Sequence, residues 1–299
     1  MTNNDERRLT RIFVVGCARS GTTLLHAMLS SHPDVLGFPE TFFFVHASRT
    51  SGVWRVLPDA LRHTRHAREA LLEALERLDA LNFTAFVPSF GITYNSYARG
   101  FIRLLDELAS EREKRIWIEK TPGHIRHIDS INRLLPTAMF VHMLRDGRDV
   151  VASLEHLRRH SLSSGIKLGW PLEKSIRRWN EAIRISQRHA RDPRHVVIRY
   201  DELVRDSRDV LRTLCGRLGL PFEVSMLDYS QAAGQVLGRD ARNAWRTDVL
   251  GPLRNTHLIK YRELFTRSEQ KSIEDALTCG GDVSRAFRFA VDSPQCVLT

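Results

Sequence analysis

The segment Arg11–Pro33, RIFVVGCARSGTTLLHAMLSSHP, constrains this chain more than any other. An apolar run, Ile12 to Val15, stops at Gly16, and apolar residues return at helical spacing as Leu24, Leu25, Met28 and Leu29. The pattern is strand, tight loop, helix. A loop that opens a helix points unpaired backbone N–H groups and the positive end of the helix dipole at whatever precedes the first turn, so the unit predicts an anion site. Gly16 and Gly21 are separated by four residues, as in a phosphate-binding P-loop, but Thr22 stands where nucleotide hydrolases carry lysine. A triphosphate tail with magnesium calls for that lysine. A less charged group needs only loop amides, hydroxyls and an arginine, which Arg19, Ser20, Gly21, Thr22, Thr23 and Leu24 supply. A turn that binds nothing is the competing reading.

Further units follow. The segment Val35 to Glu40 leads into Phe42, Phe43 and Phe44, and Glu40 is either a surface cap or a base poised by aromatic neighbours that raise its pKa. Charged, amphipathic patterns predict helices over Pro58–Leu81 and Tyr94–Ser110. Arg115–Ile118 reads as a strand that delivers Lys120 to the carboxyl edge of a sheet, where ligands of open α/β folds gather, while the local signal by itself favours a capping lysine at the edge of a loop. A helix from His124 to Leu135 comes next, and then Ala138–Leu144, apolar enough to be buried on both faces of a parallel sheet. That strand runs into Arg145, with Ser153 eight residues on, a second strand-loop-helix unit at the same edge. A helix over Leu172–Ala190, a strand His195–Arg199 ending in Tyr200, and a helix from Ser207 to Leu218 complete the pattern. Tyr229–Leu250 is polar and carries Arg239, Arg242, Trp245 and Arg246, suiting a lid or a surface loop, and two short helices are expected after it. His142, inside a strand, reads as a buried histidine rather than a catalytic one.

These elements predict a three-layer α/β sandwich, P-loop-like, with a central parallel sheet, helices on both faces and helical insertions. One domain over residues 1–299 is the economical organisation, with residues 1–10 and about 290–299 as loose ends. The 45 Lys+Arg against 35 Asp+Glu give a net charge of +10, which raises a polyanionic partner. The basic residues are spread out and no nucleic-acid motif is legible, so no nucleic acid is expected. Cys17, Cys215, Cys279 and Cys296 lack metal-ligand spacing, so reduced thiols and no metal are expected. The polar start and the absence of any run long enough to span a bilayer lead to an expectation of a cytoplasmic protein.

Taken in order, GCARSGTTLL, HPDV, PET, EKTP, FVHMLRDGRDVVASL and IRYDELV resemble the sulfotransferases that use 3′-phosphoadenosine 5′-phosphosulfate (PAPS), nearest the tyrosylprotein and bacterial branch. The resemblance spans roughly Arg11 to Trp245. It implies that residues Arg19 to Leu24 cradle the 5′-phosphosulfate, that Arg145 and Ser153 hold the 3′-phosphate, and that Tyr200 approaches the adenine. Arg239 and Arg242 correspond loosely to the family's closing segment, whose RKG lettering is missing here. The resemblance also implies that Lys120 and Arg19 stand at the leaving phosphate and that Glu40 takes the acceptor proton, with His32 and His124 as fallback bases.

A transferred sulfonate carries less charge than a terminal phosphoryl group, which agrees with the missing loop lysine and requires no metal. The expected reaction is direct in-line transfer to a hydroxyl, releasing adenosine 3′,5′-bisphosphate, with the rate coming from positioning and electrostatics. The acceptor is a hydroxyl-bearing small molecule, glycan or peptide. An apolar or aromatic one is favoured if Phe42 to Phe44 and the helices from Pro58 to Ser110 line its site. A P-loop kinase or nucleoside triphosphatase is the alternative enzyme class, and a basic polyanion-binding module is the non-enzymatic one.

Overall fold

The computed structural model describes residues 9–48, 64–88, 93–163, 169–237 and 257–287. Its centre is one sheet of five parallel strands: β1 (Thr10–Gly16), β2 (Val35–Phe38), β3 (Ile116–Lys120), β4 (Met139–Leu144) and β5 (His195–Arg199), in the order β2-β3-β1-β4-β5. Val14 of β1 is in register with Lys120, and Gly16 with Met143. β1 is central and buried from Ile12 onward, which is why its sequence is a continuous apolar run rather than an alternating one.

Alternate strand residues feed two separate cores. Ile12, Val14, Ile116, Ile118, Val141 and Met143 face helices α1 (Thr22–Ser30) and α9 (Ser207–Leu218). Phe13, Val15, Trp117, Phe140 and Val197 face the layer that includes α2 (Phe43–Ala47), α3 (Thr64–Arg77), α4 (Tyr94–Glu111), α5 (Ile128–Leu134), α6 (Gly147–Ser163) and α7 (Leu172–His189). The remaining helices are α8 (Tyr200–Arg205), α10 (Ser230–Leu237), α11 (Ile259–Leu264), α12 (Arg267–Ala276) and α13 (Val283–Ala286). No helix among the described residues is long and apolar enough to cross a membrane.

The chain leaves β1 toward one edge of the sheet and β4 toward the other, so the connections diverge between these two neighbours. That divergence opens a crevice at the carboxyl ends of the strands, where an α/β fold binds its ligand.

Several local expectations are corrected. The helix expected from His124 begins only at Ile128, because Pro122–His127 is a 3-10 turn that breaks at His127 (φ −117°) while the His124 side chain is engaged by Glu119. β3 runs on to Lys120, since pairing with β1 continues to that residue. The amphipathic helix ends at Arg77, four residues earlier than Leu81, and its expected start at Pro58 lies outside the described residues. Part of the polar segment after Tyr229 is helical, as α10, and among the described residues three α-helices rather than two short helices follow it. Arg239, Arg242, Trp245 and Arg246 lie outside the described residues.

Candidate active site

Every strand sends a side chain to the same edge: the loop after β1, Glu40 after β2, Lys120 ending β3, Arg145 after β4 and Tyr200 after β5. The loop is built by close approach. A Cβ on Gly16 would lie 2.5 Å from the carbonyl oxygen of Met143, and one on Gly21 would run into the Tyr200 ring. Gly21 also sits at φ +92°, a conformation that side chains rarely adopt. Arg19, which is not glycine, is held at φ 72°, a strained backbone of the kind found at ligand clamps. Gly21 caps α1 without any side chain, so the first N–H groups of the helix are left for a guest.

At one side of the loop, Lys120 is completely buried. Its Nζ donates to Glu40 Oε1 at 2.5 Å and to Thr23 Oγ1 at 3.3 Å. Glu40 is 8% exposed. The expectation that phenylalanine rings surround Glu40 and the acceptor is therefore corrected: the immediate partner of Glu40 is an ammonium. Phe43 and Phe44 are inside the core, where Phe43 stacks on Phe101 with centroids 4.3 Å apart. Only Phe42 is part-exposed, stacked on His46 with the Arg77 guanidinium 5.0 Å from its centroid.

Glu119, the residue before Lys120, is also completely buried. Its Oε1 accepts from Thr41 N at 3.2 Å, Thr41 Oγ1 at 2.7 Å and Thr121 Oγ1 at 2.7 Å, and its Oε2 lies 2.8 Å from His124 Nδ1. Burial opposes ionisation of Glu119, yet His124 and the hydroxyls of Thr121 and Thr41 outweigh it and hold the pKa down at about 2. His26, in α1, is also lowered, from 6.5 to about 3, by burial and by the charge of Lys120, which keeps its ring neutral.

On the other side of the crevice, the Arg145 guanidinium lies 4.3 Å from the centroid of Tyr200. Arg145 Nε is buried, 3.8 Å from Asp149 Oδ2, and has no hydrogen-bond partner among the described residues. The turn is braced from behind: Trp179 Nε1 donates to the Arg145 carbonyl at 2.9 Å, and Gly147 leaves room for the indole. Arg145 and Tyr200 also line a cavity of about 230 Å³ that extends past Arg199 and His257. Arg19 Nε donates to Ser153 Oγ at 2.9 Å, which ties the first loop to α6 of the second unit.

Glu40, Lys120 and Thr23 thus form one group, Arg19 and Ser153 a second, and Arg145 with Tyr200 a third. The fallback bases are occupied: His32 accepts from Asp34 N and contacts the Pro221 carbonyl, and His124 is buried against Glu119 and Phe44 N. His142 pairs with Ser186 and His195 inside the fold. Sequence reasoning overlooked Trp179 and the supporting role of Glu119. The signal for Glu119 was a second charged residue beside Lys120 at the end of a fully buried strand, IWIEK. Among the described residues, no group of three or more His, Cys, Asp or Glu side chains is arranged to hold a metal ion.

This fold and site define an α/β protein with a glycine-bearing strand-to-helix loop at the carboxyl edge of a parallel sheet. The model of the sulfotransferase family matches residues 11–224, and the chain belongs to that family. It is 28% identical over 228 residues to the protein-tyrosine sulfotransferase of Drosophila melanogaster, covering 75% of this chain and 41% of the fly protein. It is 28% identical over 231 residues to protein-tyrosine sulfotransferase 1 of Homo sapiens, covering 76% of this chain and 56% of the human protein. The chain spans about half the length of these relatives. Among solved structures, the sulfotransferase domain of the Synechococcus PCC 7002 olefin synthase superposes with a TM-score of 0.55 at 21% identity, over 98% of this chain and 99% of that one. The sulfotransferase domain from the curacin biosynthetic pathway gives 0.53 at 18%, over 89% and 98%. Both likenesses bear on the fold.

Proposed function

We propose that this chain transfers a sulfonate group from PAPS to a hydroxyl acceptor, by in-line displacement with Glu40 as general base and without a metal. The observation that carries this reading is the buried Lys120–Glu40 pair set against Thr23 of a P-loop-like turn that lacks the loop lysine. The residues present suit the donor nucleotide. An uncapped helix start and hydroxyls at Thr22 and Thr23 suit a phosphosulfate, a buried Arg145 Nε in want of an acceptor suits a phosphate, and the Tyr200 face suits a flat ring.

When bound, the donor supplies a sulfonate activated by a phosphate leaving group. The chain does the rest. Loop amides, Arg19, Thr22 and Thr23 would hold the phosphosulfate end and Arg145 and Ser153 the 3′-phosphate, with the Arg19–Ser153 hydrogen bond linking the two sets. Lys120, turning from Glu40 to the leaving oxygen, stabilises the charge that builds there. The same movement frees the Glu40 carboxylate to accept the hydroxyl proton of the acceptor. The names of the relatives make a tyrosine hydroxyl the first acceptor to try, and small phenols, sugars and lipids complete the screen.

The purified chain, given labelled PAPS and these acceptor pools in EDTA, is expected to transfer label and to bind adenosine 3′,5′-bisphosphate. Arg145→Ala should weaken that binding by roughly tenfold or more, the size expected for a charge-assisted hydrogen bond. A folded protein that does not bind the bisphosphate sinks the reading.

A further inference from the structure

Two adjacent residues after β2 grip two adjacent residues at the end of β3. Glu40 meets Lys120, and Thr41 meets Glu119. Glu119 is in register with Phe38 and Phe13, whose rings belong to one core, whereas Lys120 reaches Thr23 of α1 on the opposite face. The reacting pair therefore has a counterpart across the sheet, made of a carboxylate and hydroxyls. We propose that Glu119 is a positioning residue for the transfer reaction, fixing the chain on both sides of the Glu40–Lys120 pair through Thr41 and Thr121. This rests on the function proposed above.

The contacts argue for position rather than filling. One oxygen of Glu119 takes three hydrogen bonds, two from the residue that follows Glu40 and one from the residue that follows Lys120. The clasp extends further, since Thr121 Oγ1 accepts from Phe42 N and His124 Nε2 accepts from Phe44 N. That last bond uses Nε2 as an acceptor and turns the Nδ1 edge of the His124 ring toward Glu119 Oε2, 2.8 Å away. An amide in place of the carboxylate removes the charge and can set an NH₂ where one oxygen now takes three bonds. The carboxylate meets three donors with one oxygen, while its other oxygen stands 2.8 Å from His124 Nδ1 without a hydrogen bond between them. Displacing a reacting group by about 1 Å can cost on the order of a hundredfold in rate, so a clasp of this kind has catalytic weight without touching substrate.

The test separates hydrogen bonding from packing at Thr41. Thr41→Val keeps the shape and loses the hydroxyl; Thr41→Ser keeps the hydroxyl and loses a methyl. Wild type, both variants and Glu119→Gln are compared for thermal unfolding, the Kd of adenosine 3′,5′-bisphosphate, kcat and acceptor KM. Positioning predicts that Thr41→Ser stays within about twofold of wild type in kcat. It predicts that Thr41→Val loses about tenfold or more, with KM and Kd within about twofold, and that Glu119→Gln, where it folds, loses more. The reverse order, with Thr41→Val active and Thr41→Ser impaired, assigns the site to packing and overturns the proposal, as do variants that all match wild type. A wild-type protein that transfers no sulfonate overturns the proposed function and the positioning role together, and so is told apart from failure of the positioning role alone.

Discussion

Lys120 and Glu40 show what a single residue contributes here. Each is buried, and each is the other's hydrogen-bonded partner, so removing one leaves an uncompensated charge inside the protein. Breaking such a pair costs roughly 3–5 kcal/mol, tempered here by the bond from Lys120 to Thr23. Glu40→Gln retains an oxygen for the Lys120 ammonium but cannot take a proton. It is expected to keep nucleotide binding while turnover falls by about a hundredfold or more, as for loss of a general base. Calorimetric titration with adenosine 3′,5′-bisphosphate beside a transfer assay checks this, and undiminished turnover would place the base elsewhere. The positions of Lys120 and Arg145 at strand ends were legible from the apolar runs before them, but not what the two side chains meet there. The partner of Glu40 was not legible, because the pair is separated by 80 positions and nothing local joins them. Phe43 and Phe44 misled for a related reason: an aromatic run beside a carboxylate looks like a pocket wall, whereas alternate packing sends these rings into the core with Phe13 and Phe101.

At the scale of elements, the loop and α1 work as one piece because the loop lies directly on its neighbours. Gly21 permits this twice, by its φ of +92° and by leaving room for Tyr200. Gly21→Ala should cost about 1–3 kcal/mol from backbone strain alone and push Tyr200 away from the place where it faces Arg145. Thermal unfolding and bisphosphate binding should both suffer. Gly234, in α10, has open space around it and serves as the contrast: Gly234→Ala should be neutral or stabilise by up to about 1 kcal/mol, with binding unchanged. Equal effects at the two glycines would contradict the close-approach account. Strand-loop-helix units were legible from periodicity, as the match of β5 and α9 to their expected bounds attests. The 3-10 turn at Pro122–His127 was not. Its sequence is compatible with a helix, and what decides is a tertiary contact from His124 to Glu119 and to the chain after β2.

Across the whole molecule, the parallel sheet and its two faces could be expected from apolar runs, and His142 as a buried histidine inside a strand, but its partners and those of the other buried histidines could not, since a histidine in sequence carries no mark of its protonation state. His142 and His195 join β4 to β5 at 2.9 Å, with His189 stacked on His195 at 4.6 Å. His195 is lowered from 6.5 to about 4 by burial and the nearby His189 charge, against the pull of Asp192, while Arg194 adds to the lowering. His142 lies well below 6.5 through burial and the charges of His195 and His189. His26 and His127 fall to about 3, chiefly by burial. Each is neutral in the fold and readily protonated in the unfolded chain, so the stability it lends is fully present above about pH 6.5 and drains away as pH falls toward the folded value. Glu119, lowered from 4.5 to about 2, adds a second loss that begins below about pH 4.5 and runs to its folded value. The protein should therefore unfold at a temperature on the order of 10 °C lower near pH 5 than near pH 7.5. His195→Gln should flatten the slope between about pH 6.5 and 4, even where it lowers the starting stability, because one titrating group has been removed. Scanning calorimetry of both proteins across this range decides it: parallel slopes would mean that the strand histidines are not what acid attacks, and the burden would pass to His26 and His127 on their separate elements.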